Sequence, residues 1–330
     1  MNDYLGHGPI VEIKQSTLST DVQARWPYSW EEREKVLELE FTLSEYESRI
    51  ARIYEEMGRM RLDALFVHGG PASKSNLRYA SGWESFFGDS FLLLSKTCEP
   101  VLVTNSILHG EPMHSNIQVT WVKDFRPCLA FGTTFNQQSP VDYLVAALAE
   151  CGALGKRVGY VASRQTSAQS DREIRGKMAG TELVDASAVL TKLRRIKSPA
   201  EIEVLRTLAA AVSLGMEAAI KAAVPGNTEH DVAAAMYNVV MQRGMDLSPL
   251  GMRIQAGRRS SMKNVLPKKG KVIREGEIVS IDSSVEFYGY QSDHARSVVA
   301  GRASAAQIRL LEACADAQEA GLRAAGPGVK

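Results

Sequence analysis

Residues 278–301, IVSIDSSVEFYGYQSDHARSVVAG, restrict the fold of this chain more than any other stretch of its sequence. Apolar and polar residues alternate along the first half, which is the pattern of a β-strand with one buried face. The apolar side carries Val279, Ile281 and Val285, and the other side carries Ser280, Asp282 and Ser284. A second strand-like run ends at Gly301. The stretch therefore predicts a pair of strands whose two faces differ in character.

Two aspartates, Asp282 and Asp293, lie on this strand pair, eleven residues apart. On the return strand, Asp293 shares its face with Ala295, Ser297 and Val299. The side that carries the aspartates is small and polar, as expected beside a cation, because a buried carboxylate needs a partner. Carboxylate oxygens suit divalent cations such as Mn²⁺, or Zn²⁺ with mixed ligation. The alternative interpretation is that both are turn or surface residues, or pair with Arg296.

The return strand carries two further candidate residues, His294 and Arg296. His294 adjoins Asp293, but neighbouring strand residues point to opposite faces, so both cannot easily bind one metal ion. We therefore expect His294 to be a packing or surface residue. Arg296 is predicted to be a structural, hydrogen-bonding residue.

The first half of the chain has the pattern of an α/β domain. Helical and strand-like segments alternate over residues 45–187, which favours this class. Within it, FLLLSKTCEPVLVTN consists of two apolar runs around a polar turn and predicts a hairpin. Residues 1–44 read as an extension that either wraps the surface or reaches a partner subunit.

Helix signals dominate after residue 197. Ser198, Pro199 and Glu201 form a capping box that predicts a helix over residues 199–224, and Thr228 with Asp231 begins a second helix. Another capping box, from Ser304 to Gln307, predicts a last helix that ends near Ala325. The segments AAIKAAVPGNT (218–228) and AGLRAAGPGVK (320–330) resemble each other at an offset of 102 residues, which indicates an internal repeat. The alternative is a common helix ending that occurs twice.

Composition excludes several classes of function. The formal net charge of the 330 residues is +1, which gives no electrostatic reason for a nucleic-acid partner. Apolar runs are too short to span a membrane, and no secretory signal is visible, so we expect a cytoplasmic protein. The four cysteines contain no Cys-x-x-Cys pair and are expected to be reduced thiols: Cys98, Cys128, Cys151 and Cys314.

Three segments resemble the creatinase/aminopeptidase P/prolidase family of pita-bread metallopeptidases. LRRIKSPAEIEVLRTLAAAVSLGMEAAI with PGNTEHDVAAAMYNVVMQRGM is similar to the start of the catalytic domain, and REGEIVSIDSSVEFYGYQSDHARSVVAG is similar to its two-Asp hairpin. SNLRYASGW resembles a segment of the amino-terminal domain. The resemblance implies a creatinase-like α/β domain over residues 45–187. It also implies a partial pita-bread α+β domain with an internal pseudo-two-fold repeat over residues 188–330.

The resemblance also implies a site for two divalent metal ions (Mn, Zn or Co) with five protein ligands. Asp282 and Asp293 match the first two ligands. The other three, a histidine and two glutamates, are expected beyond Lys330, so the chain is expected to be a truncated product or a piece of a longer protein. A homodimer and a peptide or small-molecule substrate are further implications of the resemblance.

The sequence departs from the family pattern before the hairpin. The substrate-contacting histidine of family peptidases falls at Asn264 or Val265, and asparagine cannot carry a proton at neutral pH. Nearby, Arg258, Arg259 and Lys263 are candidates for binding a carboxylate-bearing substrate, or form an exposed basic loop.

Three functions are consistent with these residues. The first is a metal-dependent hydrolase of the Xaa-Pro aminopeptidase or prolidase type. The second is a divergent pita-bread small-molecule enzyme, either a creatinase-like amidinohydrolase or a lyase. The third is a non-catalytic binding protein on the same fold.

Overall fold

A computed structural model describes residues 30–71, 73–85, 88–106, 119–129, 139–162, 166–262 and 265–329. The chain divides into two compact units, Met1–Ile196 and Lys197–Lys330. In the described part of the first unit the helices are α1 (Trp30–Glu34), α2 (Leu43–Arg59), α3 (Ser75–Ser81), α4 (Pro140–Glu150), α5 (Ala168–Lys177) and α6 (Ser187–Arg195). The strands are β1 (Ala64–Gly69), β2 (Ser90–Ser95), β3 (Val101–Ser106), β4 (Asp124–Leu129), β5 (Arg157–Val161) and β6 (Glu182–Asp185).

One mixed sheet organises the first unit. Its strand order is β4-β3-β2-β1-β5-β6, and β2 runs antiparallel to both of its neighbours while the other pairs are parallel. The antiparallel β2–β3 pair confirms the hairpin that was predicted from two apolar runs. The predicted α/β character of this half is therefore confirmed.

Helices cover both faces of this sheet, which explains why its central strands are apolar without interruption. Leu65 and Val67 of β1 pack in one core with residues of α2, α3 and α6, whereas Phe66 of β1 packs in a second core with residues of α4 and α5. Because α6 packs in the first of these cores, it belongs with the first unit, which extends to Ile196.

The start of the described chain follows the surface of its own unit. Arg33 of α1 is buried, and its guanidinium donates hydrogen bonds to the carbonyl oxygens of Thr120, Val122 and Lys123 at 3.0–3.3 Å. Residues 1–29 of the predicted extension lie outside the described residues.

The cysteines differ from the sequence expectation. Cys98, after β2, and Cys151, at the end of α4, form a disulfide across a sequence separation of 53 residues. The prediction of four reduced thiols is wrong for this pair, because only the packing of α4 on the sheet brings the two residues together. Cys128 is a buried thiol whose pKa is raised to about 11 by burial, and Cys314 is an exposed thiol. Disulfides are typical of oxidising compartments. The cysteines therefore no longer support the predicted cytoplasmic location.

The second unit pairs helices with an antiparallel sheet. Its elements are α7 (Pro199–Ala222), α8 (Glu229–Met241), β7 (Asp246–Ala256), a 3₁₀ helix (Gly257–Ser261), β8 (Ile278–Phe287), β9 (Tyr290–Gln291), β10 (His294–Val299) and α9 (Ala305–Ala324). The sheet has the order β10-β8-β7, and β9 pairs with β8. Apolar residues of α7 and α8, including Leu208 and Met236, pack against the face of this sheet that carries Ile281 of β8.

Local signals placed the helices of this unit correctly. The capping boxes at Ser198, Thr228 and Ser304 are all formed, and the helices begin at the following residue. The two copies of the predicted repeat share a backbone feature, because Gly226 and Gly328 both have positive φ, 96° and 84°. In the described ranges, no helix has the length and apolar character needed to cross a bilayer.

Candidate metal centre

A tight turn builds the hairpin that carries the predicted metal ligands. Tyr288 and Gly289 connect β8 to β9 and both have positive φ, 50° and 77°. Positive φ at both central residues is the conformation of a two-residue type I′ turn, which matches the twist of the flanking strands. The turn fixes the pairing of Phe287 with Tyr290 and thereby sets the register of the hairpin.

The register brings the two aspartates to one face of the sheet. Asp282 pairs with Ala295, and the same register runs through the β8–β9 and β8–β10 segments. Asp293 therefore falls opposite Ser284, two residues from Asp282 on the same side of β8. Diagonal neighbours of this kind lie roughly 7–8 Å apart at the backbone, within reach of two carboxylate side chains that turn toward one ion.

Small polar side chains surround these carboxylates. Ser280 and Ser284 share the face on β8, and Gln255 of β7 lies opposite Ser280, with its amide donating to the carbonyl oxygen of Val265 at 2.9 Å. The side chain of Asp282 is 35% exposed, and Asp293 is exposed. The opposite face of β8 contributes Val279, Ile281 and Val285 to the core, so the two faces have the characters that the alternation predicted.

Arg253 is a residue of this face that the sequence did not reveal. It lies on β7 directly opposite Asp282, and its Nη1 donates to Asp282 Oδ2 at 3.2 Å. The alternative pairing of Asp282 with Arg296 is wrong, because Arg296 lies opposite Ile281 on the other face and donates to the carbonyl oxygen of Ala295. The pairing of β7 with β8 shifts between Leu247 and Met252, so no simple spacing places Arg253 beside Asp282.

His294 is separated from the two aspartates by the sheet itself. Its backbone pairs with Ser283, so its side chain belongs to the face opposite that of Asp282. Burial of the imidazole and, secondly, the charge of Arg296 lower the pKa of His294. The position agrees with the prediction that His294 is a packing or surface residue.

The predicted basic loop follows β7, and a buried carboxylate holds it. Arg259 lies in the 3₁₀ helix, where its Nε donates to Glu229 Oε1 at 3.1 Å and its Nη2 donates to the carbonyl oxygen of Leu266 at 2.9 Å. Arg258, its neighbour, is exposed. Arg259 thus stabilises the loop, and a substrate-binding role for either arginine stays a prediction. The other two candidates, Lys263 and Asn264, lie outside the described residues.

Glu229 is the centre of this loop anchor. Its side chain is fully buried, and it also accepts hydrogen bonds from the backbone N–H groups of Ala256 at 2.8 Å and Lys268 at 2.7 Å. The sequence indicated Thr228 and Asp231 as the cap of α8, but it gave no signal that the glutamate between them holds segments more than 25 residues away. The anchor fixes both ends of the segment that contains the histidine-equivalent position.

The chemistry of this face fits a hard divalent cation in part. Asp282 and Asp293 offer carboxylate oxygens, the ligands that Mn²⁺ and Mg²⁺ prefer. Across the residues that the structure describes, no group of three or more His, Cys, Asp or Glu side chains is arranged to hold an ion. The two aspartates of this face therefore supply two carboxylate ligands for a metal ion. One of them, Asp282, also accepts a hydrogen bond from the guanidinium of Arg253.

Comparison with known proteins agrees with the fold and the hairpin. Residues 49–196 match the model of the creatinase/prolidase N-terminal domain, and residues 203–330 match that of metallopeptidase family M24. The crystal structure of the prolidase from Pyrococcus horikoshii superimposes with a TM-score of 0.68 at 21% identity, covering 85% of this chain and 73% of that one. These matches define a creatinase-like domain followed by pita-bread elements. The chain belongs to metallopeptidase family M24.

Two curated relatives give a finer comparison. The Xaa-Pro dipeptidase of Lactobacillus helveticus is 30% identical over 146 residues, which are 44% of this chain and 39% of that protein. The ectoine hydrolase of Halomonas elongata is 25% identical over 309 residues, 88% of this chain and 74% of that protein. The matched region thus spans about two fifths of the length of the Lactobacillus dipeptidase.

Proposed function

We propose that this chain contributes to a metal-dependent hydrolase that cleaves a C–N amide bond of a peptide, in the manner of Xaa-Pro dipeptidases and aminopeptidases. The main support is the position of Asp282 and Asp293 on one open, polar face of the hairpin in a member of family M24. The name of the Lactobacillus relative supports the substrate class.

In this proposal Asp282 and Asp293 hold divalent ions, with Mn²⁺ as the first candidate and Zn²⁺ or Co²⁺ as the others. Such ions lower the pKa of a bound water and polarise an amide carbonyl. Ser280 and Ser284 place only small side chains beside the two carboxylates. The anchor at Glu229 holds the segment that carries Asn264, whose amide can orient a substrate by hydrogen bonds but cannot transfer a proton.

A second candidate is hydrolysis of a small amide by the same metal site. It is favoured by the absence of the histidine expected in family peptidases, whose position falls at Asn264 or Val265, and by the similarity to a protein named for ectoine hydrolysis. The Asn264→His variant separates the two candidates. If the peptidase proposal is correct, this variant hydrolyses Xaa-Pro dipeptides faster than the parent chain, whereas a small-amide hydrolase loses turnover of compact cyclic amides.

The metal site is tested with Asp282→Asn and Asp293→Asn. Asp316→Asn is the matched control, because Asp316 is exposed on α9 and its substitution changes the net charge equally. After dialysis against Mn²⁺, both hairpin variants should retain less metal than the parent chain and the control, as measured by elemental analysis. Equal metal content in all four proteins would reject the assignment of the ligands. Light scattering of the same samples tests the proposed homodimer.

A further inference from the structure

Arg253 places a positive charge on the proposed metal-binding face of the sheet. Its guanidinium contacts Asp282 Oδ2 at 3.2 Å, and within the described residues this is the ion pair that Asp282 makes. Gln255, Ser280 and Ser284 are neutral neighbours on this face, and its other carboxylates include Asp293 and the buried Glu286. The pair is partly sheltered, since the side chains of Arg253 and Asp282 are 20% and 35% exposed.

A guanidinium and a metal ion compete for the same carboxylate. The guanidinium of an arginine is a fixed positive charge, so a cation that approaches Asp282 meets this charge as well. Two cations on the same carboxylate repel each other, and partial burial strengthens this repulsion relative to water. A hydrogen bond from a neighbouring group normally orients a ligand carboxylate and favours metal binding. A donor that carries a full positive charge also repels the incoming divalent ion, and this repulsion opposes that benefit.

The position of Arg253 allows its guanidinium to move away from Asp282. Its strand, β7, is one of the two outer strands of the described sheet and pairs with β8 on one side. A single Nη1 contact holds the guanidinium to Asp282 Oδ2, so one hydrogen bond breaks when it departs. The long side chain can then turn past the edge of the sheet into water.

We infer that Arg253 is a built-in competitor of the metal ion at Asp282. The inference rests on the proposed function, because it assumes that Asp282 is a metal ligand. Arg253 neutralises Asp282 before metal binds, and the ion must displace it. The cation affinity of this face is therefore lower than its two carboxylates alone would give.

Mn²⁺ titration followed by electron paramagnetic resonance tests the inference without any assay of activity. Arg253→Leu keeps the apolar stem and removes the charge, and it should bind Mn²⁺ about 10-fold more tightly than the parent chain. Arg253→Gln retains a hydrogen-bond donor without the charge and should show the same gain. Arg309→Leu is the control, because it removes the same charge from an exposed side chain of α9 and should leave the affinity within about 2-fold.

The Asp282→Asn background separates the two hypotheses. Loss of Mn²⁺ affinity in Asp282→Asn supports the metal site, and the gain from Arg253→Leu should then vanish in the double variant. If Asp282→Asn binds Mn²⁺ as the parent does, the proposed function fails and the inference fails with it. If Asp282 is a ligand but Arg253→Leu and Arg253→Gln bind Mn²⁺ equally or more weakly, only the competition is refuted, and Arg253 supports the ligand instead.

Discussion

Glu229→Ala is expected to destabilise the second unit more than any exposed substitution. The carboxylate is fully buried and accepts hydrogen bonds from Arg259 Nε and from the backbone N–H groups of Ala256 and Lys268. Alanine removes all three acceptor contacts at once. The connection between β7 and β8 then loses the group that joins its start at Ala256 and its middle at Lys268 to α8.

The magnitude follows from the environment of each donor. The N–H of Ala256 is in the core, and a buried donor without an acceptor costs about 1–3 kcal/mol. Arg259 is 21% exposed and Lys268 is exposed, so water replaces part of their lost contacts, and we assign them about 1 kcal/mol together. Glu229→Ala also removes a negative charge that stabilises the start of α8, which adds a smaller loss. The total decrease in the free energy of unfolding is about 3 kcal/mol.

The distribution of tryptophan makes the assay selective. All four tryptophans lie at positions 26, 30, 83 and 121, so their fluorescence reports on the first unit, whereas far-ultraviolet circular dichroism reports on both units. In a urea titration, Glu229→Ala should shift the circular dichroism transition to lower urea and leave the fluorescence transition in place. Glu203→Ala is the control, because its side chain is 73% exposed and its loss should change stability by about 0.5 kcal/mol or less.

A loss below about 1 kcal/mol for Glu229→Ala would refute this reasoning, since it would mean that water or another acceptor replaces the buried carboxylate. An equal shift of both transitions would also contradict it. In that case the damage would not be confined to the second unit.

Three further predictions concern the first unit and are measured by tryptophan fluorescence in urea. Gly159→Ala should cost about 1–3 kcal/mol, because the new Cβ would lie 2.6 Å from a leucine side chain, whereas Gly176→Ala has open space and should gain about 0.5–1 kcal/mol. Reduction of Cys98–Cys151 opens a loop of 53 residues and should cost about 2–4 kcal/mol, and no loss would indicate that the bond does not form. Burial opposes ionisation of Asp89, but hydrogen bonds from His68 and Ser170 outweigh it and lower the pKa of Asp89. This contribution is complete above about pH 4 and is lost as the pH falls through the lowered pKa, so Asp89→Asn should flatten the acid limb of stability.

Elements specified by local signals could be predicted from the sequence. The helix that begins at Pro199 was expected to end near Val224 and ends at Ala222, because its capping box and its Pro-Gly ending involve residues close in the chain. The β2–β3 hairpin and the two faces of β8 were predictable for the same reason, since alternation over a few residues determines which face is buried.

The contacts that shape the candidate site could not be predicted, because they join distant segments. Arg253 and Asp282 are 29 residues apart and meet through a sheet register that is irregular near Leu247. Glu229 reaches Lys268 over 39 residues, and Cys98 meets Cys151 over 53. None of these pairs leaves a periodic pattern, so tertiary packing alone reveals them.

The alternation along β8 has a consequence for how proteins of this architecture diversify. Ile281 and Val285 belong to the core, while the partly exposed Asp282 between them lies on the opposite, outward face. Replacing an outward residue changes which ion or substrate the sheet attracts, and the packing beneath it stays the same. Single substitutions on the outward face of this strand can therefore change the bound ion or substrate during evolution without a change in the packing of the core.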